Sequence, residues 1–130
     1  MEDRAIIVLG VGPRERVMAA RQHVERRHGP ALATAAFELG DERIWALRVQ
    51  RAEVTKGSAI EHVATRLGYD LRDCAAIGDW YNDVPMFERV SRSFAMGHAP
   101  EPVRRAATDV LRATAETGGG IAEALRRWDG

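Results

Sequence analysis

Hydrophobic and polar positions follow one pattern before residue 54 of the chain and another after it. In the first region a β-branched apolar run is followed by apolar residues at helical spacing, and then by two short runs that flank a turn. This pattern predicts a buried strand, an amphipathic helix and a β-hairpin, which together form an α+β region. The predicted elements cover residues 5–9, 14–28, 33–37 and 44–50, and the hairpin turn covers 39–42.

In the second region short apolar runs alternate with helical patterns. Such alternation predicts a parallel sheet with right-handed helical crossovers. The fold class is therefore predicted as α/β, with a parallel sheet and helices over residues 54–130, preceded by the α+β region over 1–53. The predicted strands are 74–77, 93–96 and 109–111; helices are expected from Thr55 to Gly68, near 85–90, over 102–107 and after Gly120, the last with Ile121, Leu125 and Trp128 on one side.

A Gly-x-Gly sequence at 10–12 follows the first apolar run. It has neither the third glycine of a dinucleotide-binding fingerprint nor the Gly-Lys-Ser/Thr of a P-loop. We therefore predict a turn here, with Pro13 at the first position of the following helix.

Composition narrows the function classes. The formal net charge is zero and the pI is near 6.9, which argues against bulk attraction to nucleic acid or to an anionic membrane surface. No stretch approaches the ~20 apolar residues of a membrane span, and residues 1–4 lack the apolar segment of a signal peptide. A cytoplasmic protein without nucleic-acid or membrane partners is expected.

The strongest candidate chemistry follows the apolar run at 75–77, where Gly78 opens into Asp79, Asn82 and Asp83. Ligands bind at the carboxyl ends of strands in open α/β sheets. Carboxylate oxygens suit Mg²⁺, and an amide can bind a phosphate oxygen. The structural alternative is an ordinary loop whose Asp and Asn residues cap the next helix.

Lys56 is the only lysine in the sequence, since every other basic side chain except the histidines is arginine. It lies in the first turn of a predicted helix, where a positive charge opposes the helix dipole unless an anion is near. Either it is an ordinary exposed lysine, or a compact point charge is needed at this position.

These residues together resemble a known family. Lys56-Gly57 at a helix start, followed by Gly78-Asp79-x-x-Asn82-Asp83, closely resembles the third and fourth motifs of the haloacid dehalogenase superfamily, specifically its Cof-like sugar-phosphate phosphatases with a C2-type cap. Residues 93–99 are similar to the family's strand and Met-Gly-Asn-Ala turn, with His98 where asparagine is usual. Residues 103–110 and 119–122 look like its closing segments, and residues 1–53 more loosely resemble the end of the cap.

The resemblance implies a Rossmann-like core and roles for four residues. Asp79 would ligate Mg²⁺, and Asp83 would support the metal shell or orient Lys56. Lys56 and Asn82 would contact the phosphate of a phosphorylated small molecule. Metal and cationic groups would then neutralise the charge that develops during phosphoryl transfer.

Two parts of the family pattern are missing. The chain has no Asp-x-Asp after an apolar run, so the family's nucleophile is absent, and it has no Ser or Thr at the end of a second such strand. By resemblance, the chain begins inside the cap and retains the later part of the core. We expect the isolated chain to be inactive, to bind Mg²⁺ weakly or not at all, and to form a homodimer or pair with a missing N-terminal half. The alternatives are a non-catalytic binding or assembly protein and a phosphate-binding module.

Overall fold

A computed structural model of the chain describes residues 7–40 and 43–128. The chain divides into two compact units, Met1–Val54 and Thr55–Gly130. Residues 1–4, the predicted strand start at Ala5 and Ile6, and Asp41 and Glu42 of the predicted hairpin turn lie outside the described residues. Within 7–40 and 43–128, no helix is long and apolar enough to span a bilayer.

The first unit contains a three-stranded antiparallel sheet and one helix. The sheet has the order β1 (Ile7–Gly12), β3 (Trp45–Arg51), β2 (Leu32–Glu38), with β2 and β3 forming the predicted hairpin. Val17 of the helix and Ala46 and Leu47 of β3 are its buried hydrophobic residues among those described. The predicted order of strand, helix and hairpin is confirmed. The helix is α1 (Arg14–His28).

Two predictions about β1 are wrong. The Gly-x-Gly sequence continues the strand instead of ending it, because Gly10 pairs with Leu47 and Gly12 with Trp45 of β3. The strand is also not buried within its unit, since Leu9 and Val11 keep 64% and 65% of their surface. The reason is that β1 is an edge strand and β3 is its only partner among the described residues. The apolar run predicted a strand correctly but could not report which neighbours cover it.

The second unit contains a parallel sheet, as the alternating pattern predicted, and its order is β4 (Ala75–Gly78), β5 (Arg92–Ala95), β6 (Asp109–Val110). Ala76 of β4 lies opposite Ser93 of β5, and Phe94 of β5 lies opposite Asp109 of β6. The helices of this unit are α2 (Lys56–Leu67), α3 (Val84–Phe87), α4 (Glu101–Ala106) and α5 (Gly120–Trp128).

Two hydrophobic clusters form the core of this unit. Successive residues of a strand point to opposite faces of its sheet, and Phe94 and Ala95 accordingly belong to different clusters. Coverage of both faces is what a parallel sheet requires. One cluster contains Ala76, Phe87, Ala95, Ala99 and Val103, and the other contains Phe94, Leu111 and Ala124.

Helices α2 and α5 leave large parts of their apolar faces exposed. Helix α5 buries Ala124, whereas Ile121 and Leu125 are 69% and 47% exposed. In α2, likewise, Ala64 is buried and Leu67 is exposed. Strand β4 is an edge of the sheet, so the described part of the unit has no strand beyond it for these helices to cover.

Candidate functional site

The candidate site lies in the second unit, where β4 ends at Gly78. Asp79 is the next residue, and a 3-10 turn over Tyr81–Asp83 follows before α3 begins. The amide N–H of Asp83 donates to the carbonyl of Trp80 at 2.9 Å, which closes this turn. The carboxyl end of β4 therefore presents a short, hydrogen-bonded loop, as the sequence pattern predicted.

Asp83 connects the parts of this loop. Its side chain is 3% exposed. Its Oδ2 accepts hydrogen bonds from the backbone N–H of Asp79 at 2.9 Å and of Trp80 at 3.0 Å, and its Oδ1 accepts one from Lys56 Nζ. Burial by itself would raise the pKa of Asp83, but the hydrogen bonds from Lys56 and from the two N–H groups outweigh it and hold that pKa below its ordinary value.

Lys56 is the first residue of α2, and its side chain is half exposed. The helix start is set by Thr55, whose side chain accepts from the backbone N–H of Ser58 at 3.1 Å while the Ser58 hydroxyl accepts from the Thr55 N–H at 3.0 Å. This reciprocal cap satisfies two free N–H groups. The unfavourable position of Lys56 in the helix dipole is compensated by its ion pair with Asp83. The structure therefore places Lys56 and Asp83 together.

The two motif glycines are explained by close packing. A β-carbon at Gly78 would lie 2.5 Å from Asp83 Cγ, and one at Gly57 would lie 2.8 Å from the carbonyl carbon of Pro85. Both distances are shorter than real β-carbon contacts. Gly78 therefore lets Asp83 fold back against the strand end, and Gly57 lets the start of α2 approach α3.

Asp79 is more open, with 53% of its side chain exposed. Its Oδ2 lies 3.2 Å from His98 Nε2. His98 follows β5, and its other ring nitrogen, Nδ1, accepts a hydrogen bond from the backbone N–H of Ala115 at 3.1 Å. Asn82, within the 3-10 turn, is half-buried, and its side chain has no hydrogen bond to the described part of the chain. In the sequence His98 departs from the family turn, but the pattern did not predict that it lies in the site.

The residues present do not complete a Mg²⁺ site. Mg²⁺ requires near-octahedral oxygen coordination that includes one or two carboxylates. Both oxygens of Asp83 are engaged by Lys56 and by backbone N–H groups, which leaves Asp79 as the exposed carboxylate. Over 7–40 and 43–128, no three His, Cys, Asp or Glu side chains lie close enough together to hold a metal.

Comparison with known proteins decides the family. A family model described as haloacid dehalogenase-like hydrolase matches residues 5–125 of the chain. The chain belongs to the haloacid dehalogenase-like hydrolases. The resemblance stated for the Lys56 and Gly78–Asp83 motifs is thereby confirmed at the level of the superfamily.

Sequence relatives of this family member include phosphatases. A phosphoglycolate phosphatase of Halobacterium salinarum is 41% identical over 70 residues, which are 54% of this chain and 31% of that protein. A phosphoglycolate phosphatase of Methanopyrus kandleri is 37% identical over 83 residues, which are 64% of this chain and 35% of that protein. The chain thus spans about a third of the length of these curated relatives.

Solved structures support the fold of this haloacid dehalogenase-like chain. A haloacid dehalogenase-like hydrolase from Bacteroides thetaiotaomicron superposes with a TM-score of 0.78 at 23% sequence identity. The match covers 98% of this chain and 46% of that protein. At this identity the likeness shows the shared α/β fold, and it confirms the predicted fold class.

Proposed function

We propose that this chain is the C-terminal portion of a haloacid dehalogenase-family phosphohydrolase of the Cof-like, sugar-phosphate type. Residues 1–53 would be the end of its C2-type cap, and residues 54–130 the later part of its catalytic core. The observation that carries the proposal is the grouping of Lys56, Asp79 and Asp83 at the carboxyl end of β4.

In this proposal each of these groups has a role. Asp83 would hold Lys56 and the backbone of Asp79 in place, so that the half-exposed ammonium group contacts phosphate. Asn82 would add an amide to the same phosphate. The substrate class is a phosphorylated small molecule, in line with the phosphatase relatives. Fixed cationic and hydrogen-bonding groups lower the barrier to phosphoryl transfer by neutralising the developing charge.

The nucleophile would have to come from another segment of polypeptide. The sequence contains no Asp-x-Asp, and neither Asp79 nor Asp83 has the position of an attacking carboxylate in the family pattern. Lys56 can position a phosphate, but without a nucleophile no aspartyl-phosphate forms. The Mg²⁺ that family phosphatases use would likewise need ligands from outside the described residues.

A second candidate is a non-catalytic module that binds a phosphate ligand through Lys56 and Asn82. The lack of a complete metal site among the described residues favours it, because phosphate binding by a cation and an amide requires no metal. When a nucleophile-bearing segment is supplied, the first candidate should give turnover and the second should not.

In the test, the chain is mixed with an N-terminal portion of a homologous phosphatase that carries Asp-x-Asp. Turnover of p-nitrophenyl phosphate is then measured in the presence of Mg²⁺. The isolated chain should show no turnover above background, and the mixture should gain turnover that Lys56→Gln abolishes. Arg66→Gln, an exposed cation on the same helix, is the matched control and should retain it. Turnover by the isolated chain that Asp79→Ala removes would contradict the first proposal. Phosphate binding without turnover in the mixture would favour the second.

A further inference from the structure

We infer that His98 is a positioning residue that holds the carboxylate of Asp79 through a single fixed tautomer of its ring; its catalytic meaning rests on the proposed function. The imidazole of His98 makes two polar contacts. Nδ1 lies 3.1 Å from the backbone nitrogen of Ala115, and Nε2 lies 3.2 Å from Asp79 Oδ2. About a third of the side chain is exposed, so the core does not enclose the ring. The two polar contacts are what hold it.

The chemistry of the partners determines where the proton lies. A backbone N–H can only donate, so His98 Nδ1 must offer a lone pair to Ala115. In a neutral imidazole the proton then lies on Nε2, since one ring nitrogen donates while the other accepts. The ionised carboxylate of Asp79 can only accept, and it therefore receives this Nε2–H. The tautomer with the proton on Nε2 satisfies both contacts. In the other tautomer, the Nδ1–H of His98 would face the backbone N–H of Ala115, and neither group could accept.

The backbone around His98 makes this arrangement rigid. The turn after β5 is closed by a hydrogen bond from Ala99 N–H to the Met96 carbonyl at 3.0 Å, and Gly97 N–H donates to the Ala113 carbonyl at 2.9 Å. A β-carbon at Gly97 would lie 2.8 Å from the Leu111 carbonyl oxygen, so this turn is packed tightly against the segment after β6. His98 therefore links three segments that follow three neighbouring strands, and Asp79 lies at one end of that link.

The fixed tautomer limits what His98 can do and leaves one oxygen of Asp79 free. Because Nε2 carries the proton, it has no lone pair with which to bind a cation or accept a proton. His98 thus acts through Asp79, whose Oδ2 is committed to the ring and whose Oδ1 has no hydrogen bond within 7–40 and 43–128. The orientation of that free oxygen is what His98 controls.

The direct experiment is long-range ¹H–¹⁵N correlation NMR on the uniformly labelled chain near neutral pH. Loss of signals in His98→Asn assigns the ring, and exposed His62 in the same unit is the internal reference. We expect His98 to show a protonated Nε2 and an unprotonated Nδ1, whereas His62 shows an average of tautomers. Asp79→Ala should shift the Nε2 resonance and leave the tautomer unchanged.

Substitutions test the link separately. Asparagine also presents one acceptor and one donor, so His98→Asn should keep the Ala115 amide protected from hydrogen exchange to within about threefold of the native rate. His98→Leu offers neither and should speed that exchange by about tenfold, the loss of roughly one hydrogen bond. An Nδ1-protonated or averaged ring, an Nε2 resonance unmoved by Asp79→Ala, or equal exchange in His98→Leu and the native chain would overturn the inference. None of these readouts depends on turnover, so failure of the proposed function is seen separately.

Discussion

Replacing Asp83 by asparagine tests whether this one buried carboxylate holds the site together. The carboxylate accepts from Lys56 and from two backbone N–H groups, and all of its partners are donors. An asparagine has one acceptor edge, so its NH₂ group must face either the ammonium group or the two N–H groups. The substitution therefore keeps the volume of the side chain but leaves donors opposed in a nearly buried position.

The loss of stability expected for Asp83→Asn follows from these contacts. A hydrogen bond to a charged group contributes about 1.5–3 kcal/mol, and an unpaired buried donor costs about 1–3 kcal/mol. Because half of the Lys56 side chain is exposed, its ammonium group can turn to water and recover part of the loss. We expect Asp83→Asn to lower the free energy of unfolding by about 2 kcal/mol. With an ordinary urea dependence, the unfolding midpoint would fall by about 1–2 M.

The dependence on pH gives this prediction a second signature. Since the pKa of Asp83 is below its ordinary value in the folded chain, its stabilising contribution is present above the unfolded pKa of ~3.9 and is lost as the pH falls through the folded value. The difference in stability between native chain and Asp83→Asn should be constant near neutrality and shrink in acid below that unfolded pKa.

Urea unfolding followed by circular dichroism, from neutral pH into acid, measures both quantities. Asp73→Asn is the matched control, because Asp73 is exposed and an exposed substitution should change stability by less than about 0.5 kcal/mol. Equal midpoints for the two variants, or a difference that grows in acid, would refute the reasoning.

Three further predictions follow from the packing and the sheet edge. Gly78→Ala should lower the free energy of unfolding, measured by urea unfolding, by about 1–3 kcal/mol, because the added β-carbon overlaps Asp83. Gly12→Ala is the control: its β-carbon would meet no atom within 4 Å, so it should change the free energy of unfolding by less than about 0.5 kcal/mol. Calorimetry should show weak or no Mg²⁺ binding, since the described residues do not complete a site; tight stoichiometric binding would contradict this. Light scattering at micromolar concentration should show a dimer, because β4 is an apolar edge strand without a blocking charge; a monomer would refute it.

Local sequence patterns predicted the type and order of most elements. Apolar spacing predicted α1 and α2 within a residue of their ends, because Pro13, Thr55 and Gly68 are local start and stop signals. The alternation after residue 54 predicted the parallel sheet. The motif of Lys56 with Gly78–Asp83 indicated the family, because both parts are short segments whose residue types stand in fixed order along the chain.

The contacts that each of these residues makes depend on the tertiary structure. Neither the exposure of β1 nor the narrow buried faces of α2 and α5 follows from periodicity, because burial depends on which neighbour covers a surface. The hydrogen bond from Lys56 to Asp83 forms where the Asp83 side chain packs closely against Gly78, which has no β-carbon to block it. His98 joins the site because Ala115, 17 residues further along the chain, returns beside it. A hydrogen bond between segments distant in sequence requires the whole sheet to form, and local patterns do not specify it.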